Sequence, residues 1–449
     1  MEEENQQKLF DNRKLAALLI PLAVDQLLNS FMGTVDTLVV SNLGSAAISA
    51  VSLVDSINIL IVQAFFALAT GGTVVCSHYL GCGREDHAKE AARQLVFITF
   101  MMSLIIGVLC IIFNGQILSL IFGEVEEAVM VNAKQYFFFS AISYPFIALY
   151  DDGSSILRAQ ENSRLPMLIS VASNLVNLVL NLLFVWGLGF GVAGSACATL
   201  LARIFAMVVV TYKLRNPHLT VSLTQYHSIR PDWGEIRRIL RIGIPSGVEN
   251  SMFQFGKLAI QSTVSLMGTA AIAAQGMTNI IENLNGILAI GVGIGLMTVV
   301  GETLGAGRKE EAVYYVKKLC VISEVVIIVS CLVMFALLHP ITYFGGMEPE
   351  SARMCIHMVT WITIVKPVVW VMAFIPAYGF RAAGDVKFTM TVSVISMWFC
   401  RVTLAIVLVR VFGMGPMAVW IGMFTDWTVR GVIYTVRFRS RRWLGHQVI

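Results

Sequence analysis

Charge is scarce in this sequence. Only 13% of its 449 residues are Asp, Glu, Lys or Arg, against roughly 25% in ordinary soluble domains, while 57% are hydrophobic. That balance excludes a sizeable soluble domain and, with it, catalysis outside a membrane. Paired cysteines are lacking as well. The eight (Cys76, Cys82, Cys110, Cys197, Cys320, Cys331, Cys355, Cys400) are scattered, most of them in apolar runs, with no CxxC spacing. This excludes a disulfide or zinc framework and leaves small core residues. The opening MEEENQQKLFDNRK has neither the basic n-region nor the small-residue cleavage site of a signal peptide, so the first apolar run is expected to stay. HExxH, GxSxG and GxxxxGK[ST] are also missing, and the doublet Asp151-Asp152 has no second aspartate-rich partner motif. Without a catalytic constellation, a membrane-embedded enzyme is disfavoured and the chain is read as a non-enzyme.

What is present is a succession of apolar runs. A spanning helix needs about 20 apolar residues, and twelve candidates fall near 15–40, 47–76, 92–114, 130–156, 165–188, 192–213, 239–263, 270–300, 316–338, 352–378, 387–410 and 415–436. The longest polar loop, 215–238, divides them six and six. With an inside N-terminus, Arg353 and Arg410 are the basic residues of the outside loops, which carry Glu124, Glu126, Glu127, Glu348 and Glu350 instead. Cytoplasmic loops retain positive charge, so both termini are expected in the cytoplasm of a multi-pass protein. The net charge of +4 is explained by this topology and calls for no nucleic-acid partner.

The two halves repeat one another. LGCGREDHAKEA begins at Leu80 and LGAGRKEEA at Leu304. The same shift of 304 − 80 = 224 pairs Ile20-Pro21 with Ile244-Pro245, Gly44 with Gly268, Ala46-Ala47-Ile48 with Ala270-Ala271-Ile272, and Gly71 with Gly295. Further on LRAQENSR faces FRAAGDVK at 381 − 158 = 223. Six spans per copy give both copies the same orientation, related by a pseudo-two-fold axis along the membrane normal. The expected fold is an all-α integral membrane protein of twelve transmembrane helices in two pseudo-symmetric lobes, 1–214 and 239–449, joined by a cytoplasmic linker, 215–238. The glycine pairs do not follow a strand and lack the P-loop pattern. They read as repeated cytoplasmic hinges in which glycine ends one helix.

Pro21, VDTLVVSNLG (Val35 to Gly44), LGCGRE, LRAQENSR, the segment Ser173 to Thr199, IPSGVEN, AAIAAQ and LGAGRKEEA together resemble the multidrug and toxic compound extrusion (MATE) family, prokaryotic type, over nearly the whole chain. The resemblance implies V-shaped six-helix lobes, alternating access and export of small organic cations, cationic amphipathic compounds, in exchange for entering Na⁺ or H⁺. It implies no cofactor beyond that coupling ion, a monomer in the lipid bilayer of the cytoplasmic (inner) membrane, and no metal beyond a possible Na⁺.

An isolated acid at a helix centre costs roughly 2.5–3.5 kcal/mol on insertion scales, and Asp36 stands in the outer half of span one. The resemblance puts the coupling aspartate there and makes Asn177, Asn181 and Thr199 its cation-site partners. Independently, Asn174, Asn177 and Asn181 share one helical face, and oxygen ligands from Asp, Asn and Thr suit a hard cation. Interhelical hydrogen bonding is the alternative for the asparagines. Some relatives carry an acid where Asn181 stands, which leaves Na⁺ and H⁺ both open. Asp25 and Glu249, each four residues after its proline, and Asp55 and Glu282 in the second spans are coupling or structural charges; Lys257 and Lys366 are expected to neutralise Glu249 or Glu282. Where some members carry a second-lobe acid, this chain has Phe253, so a second cation site is expected to be absent or altered. Arg203, Arg401 and the Asp426/Arg430 pair are expected to be structural. Pro21 is the candidate gate. Phe31, Met32, Phe255, Met277, Trp370 and Tyr378 are candidate substrate contacts or core residues. The rival functions are a flippase for lipid-linked sugars, which would need a strongly cationic cavity, an enzyme and a passive channel.

Overall fold

In hydrocarbon every backbone N–H and C=O has to be bonded within the protein, which leaves the α-helix as the way for isolated apolar runs to span. The computed structural model describes residues 8–41, 43–123, 126–224 and 230–449, without the side chains of 31–38, 41 and 344. Among these residues the chain is helical throughout: α1 Asn12–Ser41, α2 Ser45–Gly81, α3 Glu85–Ile112, α4 Asn114–Phe122, α5 Glu127–Ala159, α6 Arg164–Asn181, α7 Gly191–Leu214, α8 Trp233–Val264, α9 Thr269–Gly305, α10 Lys309–Phe344, α11 Pro349–Ala382, α12 Val386–Ser396, α13 Leu404–Arg410 and α14 Met417–Arg439. π-helical turns extend α6 over Leu182–Gly187 and join α12 to α13 over Met397–Thr403. Eight of the resulting helices are long and apolar enough to cross a membrane by length and composition. The other long ones, α1, α5, α8 and α14, carry Asp25, Asp152, Glu249 and Asp426 among their apolar residues. Large apolar side chains such as Val179, Val321, Leu332 and Val368 remain exposed, as a hydrocarbon surround permits.

The repeated sequence folds into repeated turns. Gly83 and Gly307 take φ of 72° and 75°, a left-handed conformation open to glycine. Each turn closes with equivalent bonds: Gly83 N to Leu80 O at 3.0 Å and Arg84 N to Tyr79 O at 2.9 Å, against Gly307 N to Leu304 O at 2.9 Å and Arg308 N to Thr303 O at 3.0 Å. Gly44 and Gly268, with φ of 99° and 95°, open α2 and α9.

Contacts gather the chain into two compact units, Met1–Gln26 with Val248–Val448, and Leu27–Gly247 with Ile449. Helices α1 and α8 therefore each contribute to both. Within the first unit, a Cβ on Gly291 of α9 would lie 2.7 Å from Ala23 Cα of α1; within the second, a Cβ on Gly71 of α2 would lie 2.6 Å from Ile239 O of α8. Glycine is what lets these backbones approach. The second unit packs Val54, Phe65, Phe137, Ala141 and Tyr144 at its core. The first holds two apolar clusters, one around Ile281, Met358 and Trp420 and one around Val264, Met397 and Val419.

The stretch read as a linker to residue 238 is partly helical, since α8 starts at Trp233. Asp232 supplies the reason: its carboxylate accepts from Gly234 N at 2.8 Å and Glu235 N at 3.4 Å, capping the first turn. The preceding chain is held by Gln160, whose side chain exchanges two hydrogen bonds with the Val221 backbone (2.9 and 3.1 Å).

Candidate functional site

The amide-rich face of α6 lies in the second unit. Asn181 is fully buried and donates to Asn177 Oδ1 at 3.0 Å. Two turns earlier, Asn174 Nδ2 and Ser170 Oγ both donate to Asn29 Oδ1 of α1, at 3.1 and 3.0 Å. This face therefore turns toward α1. Helix α7 packs alongside through Ser173 Oγ, which donates to Ala202 O at 2.9 Å. Thr199 Oγ1 donates within its own helix to Ser195 O at 3.2 Å. Asp36, Phe31 and Met32 lie outside the residues whose side chains are described.

A second polar cluster in this unit is neutral apart from its ends. Asn58 donates to Asp55 Oδ1 and Ser140 Oγ, both at 3.2 Å, and accepts from Tyr144 OH at 2.8 Å. Arg203 donates to Ser143 Oγ at 2.6 Å.

The repeat mates of this cluster are charged. Glu282 matches Asn58 (282 − 58 = 224), Lys366 matches Ser143 (366 − 143 = 223), and they form an ion pair at 2.8 Å in which Lys366 is fully buried. They adjoin a cavity of about 530 Å³ inside the first unit. Glu249 also lines it, paired with Arg381 at 2.8 Å. So do Arg401 and Arg430, which share one carboxylate: Arg430 Nε lies 2.7 Å from Asp426 Oδ1 and Arg401 Nη2 lies 3.3 Å from Oδ2. Lys257, expected to neutralise an acid, makes no ion pair among the described residues; its Nζ stands 5.0 Å from the centre of the Phe253 ring. Arg381 has taken Glu249 and Lys366 has taken Glu282. Sequence order gave no means of choosing among these partners.

Of the candidate substrate contacts described, Trp370 and Tyr378 line this cavity. Phe255 and Met277 do not: Phe255 is 43% exposed away from the lining, and Met277 packs on the Ile281 cluster. Aromatic type alone could not separate these cases, because adjacent helical positions face apart. Phe374, stacked on Trp370 at 4.9 Å, and Arg401 were missed as lining residues. The available signal was the pair Phe253 and Lys257, four residues apart on one face of α8. Asp25 is buried, Pro21 lies inside α1, and the Asp151-Asp152 doublet belongs to no cluster of three metal-ligating side chains among the described residues.

The repeat seen in the turns returns in comparison with known proteins. The model of the MatE family matches twice, over residues 21–183 and 245–407, and the two matches are offset by 245 − 21 = 224. The chain belongs to the MatE family. MatE proteins of the multidrug and toxic compound extrusion type include relatives over nearly all of this chain. The probable multidrug resistance protein NorM of Thermotoga maritima is 24% identical over 97% of this chain and 94% of its own. The uncharacterized transporter YisQ of Bacillus subtilis is 28% identical over 96% and 94%. A multidrug resistance MATE transporter of the MOP superfamily, solved in an outward-facing conformation, superposes with a TM-score of 0.89 at 20% identity over 95% of each chain. The protein is thus a multi-pass membrane transporter of a multidrug efflux family, with the twelve-span MATE fold.

Proposed function

We propose that this MatE protein is a secondary active exporter that antiports amphipathic organic compounds, cations in the first instance, against Na⁺ or H⁺ by alternating access. The coupling ion is assigned to Asp36, Asn177, Asn181 and Thr199. The hydrogen bond from Asn174 to Asn29 carries this reading. Spans one and five run in the same direction in a twelve-span topology, so two further turns along each helix lead from 29 to 36 and from 174 to 181. Asp36 thus stands as many residues past Asn29 as Asn181 stands past Asn174, and this equal spacing supports the assignment. One carboxylate among neutral amide and hydroxyl oxygens suits a hard monovalent cation, and the same carboxylate can instead take a proton.

The asymmetry of Lys and Arg supports cytoplasmic termini in the inner membrane. Helix α1 passes from one compact unit to the other between Gln26 and Leu27, five residues after Pro21. A proline there removes a helical hydrogen bond, which supports Pro21 as the hinge of the gate.

The assignment is tested by equilibrium binding of radiolabelled Na⁺, and by proton release in its place, to the detergent-solubilised protein and Asn181→Leu. Saturable binding or release that the substitution weakens at least about tenfold is expected. An unaltered response would remove Asn181 from the site.

A further inference from the structure

We propose that the cavity of the first compact unit is a binding site for aromatic anions, compounds carrying a carboxylate, sulfonate or phosphate beside a flat ring system, with Lys257 and Arg401 as the anion-holding pair. The charges in and around the cavity set its sign. Lys257, Lys366, Arg381, Arg401 and Arg430 oppose Glu249, Glu282 and Asp426. Lys366 is consumed by Glu282 and Arg381 by Glu249, while two arginines divide Asp426. Lys257 has only a longer-range attraction to Glu282, which Lys366 already holds at contact distance, and Arg401 shares its one contact carboxylate with Arg430.

These two cations converge on one ring. Lys257 Nζ stands 5.0 Å and the Arg401 guanidinium carbon 5.2 Å from the centre of Phe253. Donors are also in excess. Arg401 is 3% exposed and its Nε has no acceptor among the described residues; the same is true of Trp427 Nε1, which also lines the cavity. Buried donors are ordinarily satisfied, and anionic oxygen is the acceptor that would satisfy these while balancing Lys257. Arg401 sits in the π-helical turn Met397–Thr403, a distortion that recurs at functional sites. The stacked Trp370 and Phe374 supply a flat apolar wall for the ring of the ligand. The acids around Lys257 are already held: Glu249, eight residues or about 12 Å back along α8, by Arg381, and Glu282 of α9, which attracts Lys257 across the cavity, by Lys366. A second bare cation at the Phe253 end would meet two positive groups.

The inference goes beyond the export reading, because it concerns equilibrium occupancy and holds whether or not transport is coupled to an ion. The full-length protein in nanodiscs is titrated calorimetrically with 2-naphthalenesulfonate and, separately, with the matched 2-naphthyltrimethylammonium, with empty nanodiscs as the blank. The wild type is expected to bind the sulfonate more tightly. Lys257→Gln, which breaks no ion pair, weakens the sulfonate about tenfold; Lys257→Arg retains it; Lys257→Glu exchanges the preference toward the ammonium probe. Absence of sulfonate binding, tighter binding of the ammonium probe by the wild type, or a sulfonate affinity unmoved by Lys257→Gln would each overturn the proposal. Loss of gradient-driven export with sulfonate binding intact would count against the export reading alone.

Discussion

Glu161 adopts φ of 62°, where its repeat mate Gly384 (384 − 161 = 223) takes 86°. A side chain in the left-handed region costs about 1–2 kcal/mol, and glycine's freedom in the unfolded chain returns roughly half of that. Glu161→Gly is therefore expected to raise the melting temperature modestly; a lowered one would show that the contacts of Glu161 outweigh the strain. The Lys366–Glu282 pair allows a sharper test. Lys366→Met takes from the half-buried Glu282 carboxylate its contact partner, leaving only the longer-range attraction of Arg401 and Lys257, for about 1–3 kcal/mol of lost stability. Adding Glu282→Gln should recover much of it in a double-substitution cycle, and additive losses would contradict the pairing. That both residues needed partners was legible in the sequence, because each interrupts an apolar run. Which partner each would take was not: Glu249 and Arg381 meet across 132 residues, a choice made by packing.

At the scale of the element, repeat mates that look interchangeable in sequence bear different loads. A methyl added at Gly71 would press on the Ile239 carbonyl at 2.6 Å, whereas at Gly295 it would meet the flexible end of Leu19 at 2.4 Å. Gly71→Ala is expected to destabilise by about 1–3 kcal/mol, as overpacking against fixed atoms does, and Gly295→Ala by less; equal shifts in thermal melting would contradict the crossing of α8 on α2. Helix positions and the paired turns were readable from apolar period and glycine placement. The start of α8 was readable too, in Asp232 followed by Glu235, though the charged stretch hid it. The π-helical turns were not, since they depend on how α6 and α12 pack and leave no residue signature. Pro21→Ala should slow turnover more than it weakens binding, and unchanged transport would remove Pro21 from the gate.

Across the whole molecule, one duplicated six-helix framework holds two kinds of polar interior. The unit containing α6 carries amides and hydroxyls, among them Asn58, Asn177 and Asn181, and the other carries ion pairs around a cavity with surplus positive charge. Duplication was visible as an offset of 224 that shortens to 223 and the family as a set of segments, whereas the sign of the cavity depends on which carboxylates its five cations reach, a matter of packing that sequence order does not encode. The proposed ion-coupled export runs through the first of these interiors. Efflux of a fluorescent organic cation from proteoliposomes is measured under an imposed Na⁺ or pH gradient, with wild type beside Asp36→Asn. One of the two gradients should drive efflux in the wild type and neither in the variant; efflux that ignores both gradients, or survives the substitution, would contradict coupling at Asp36.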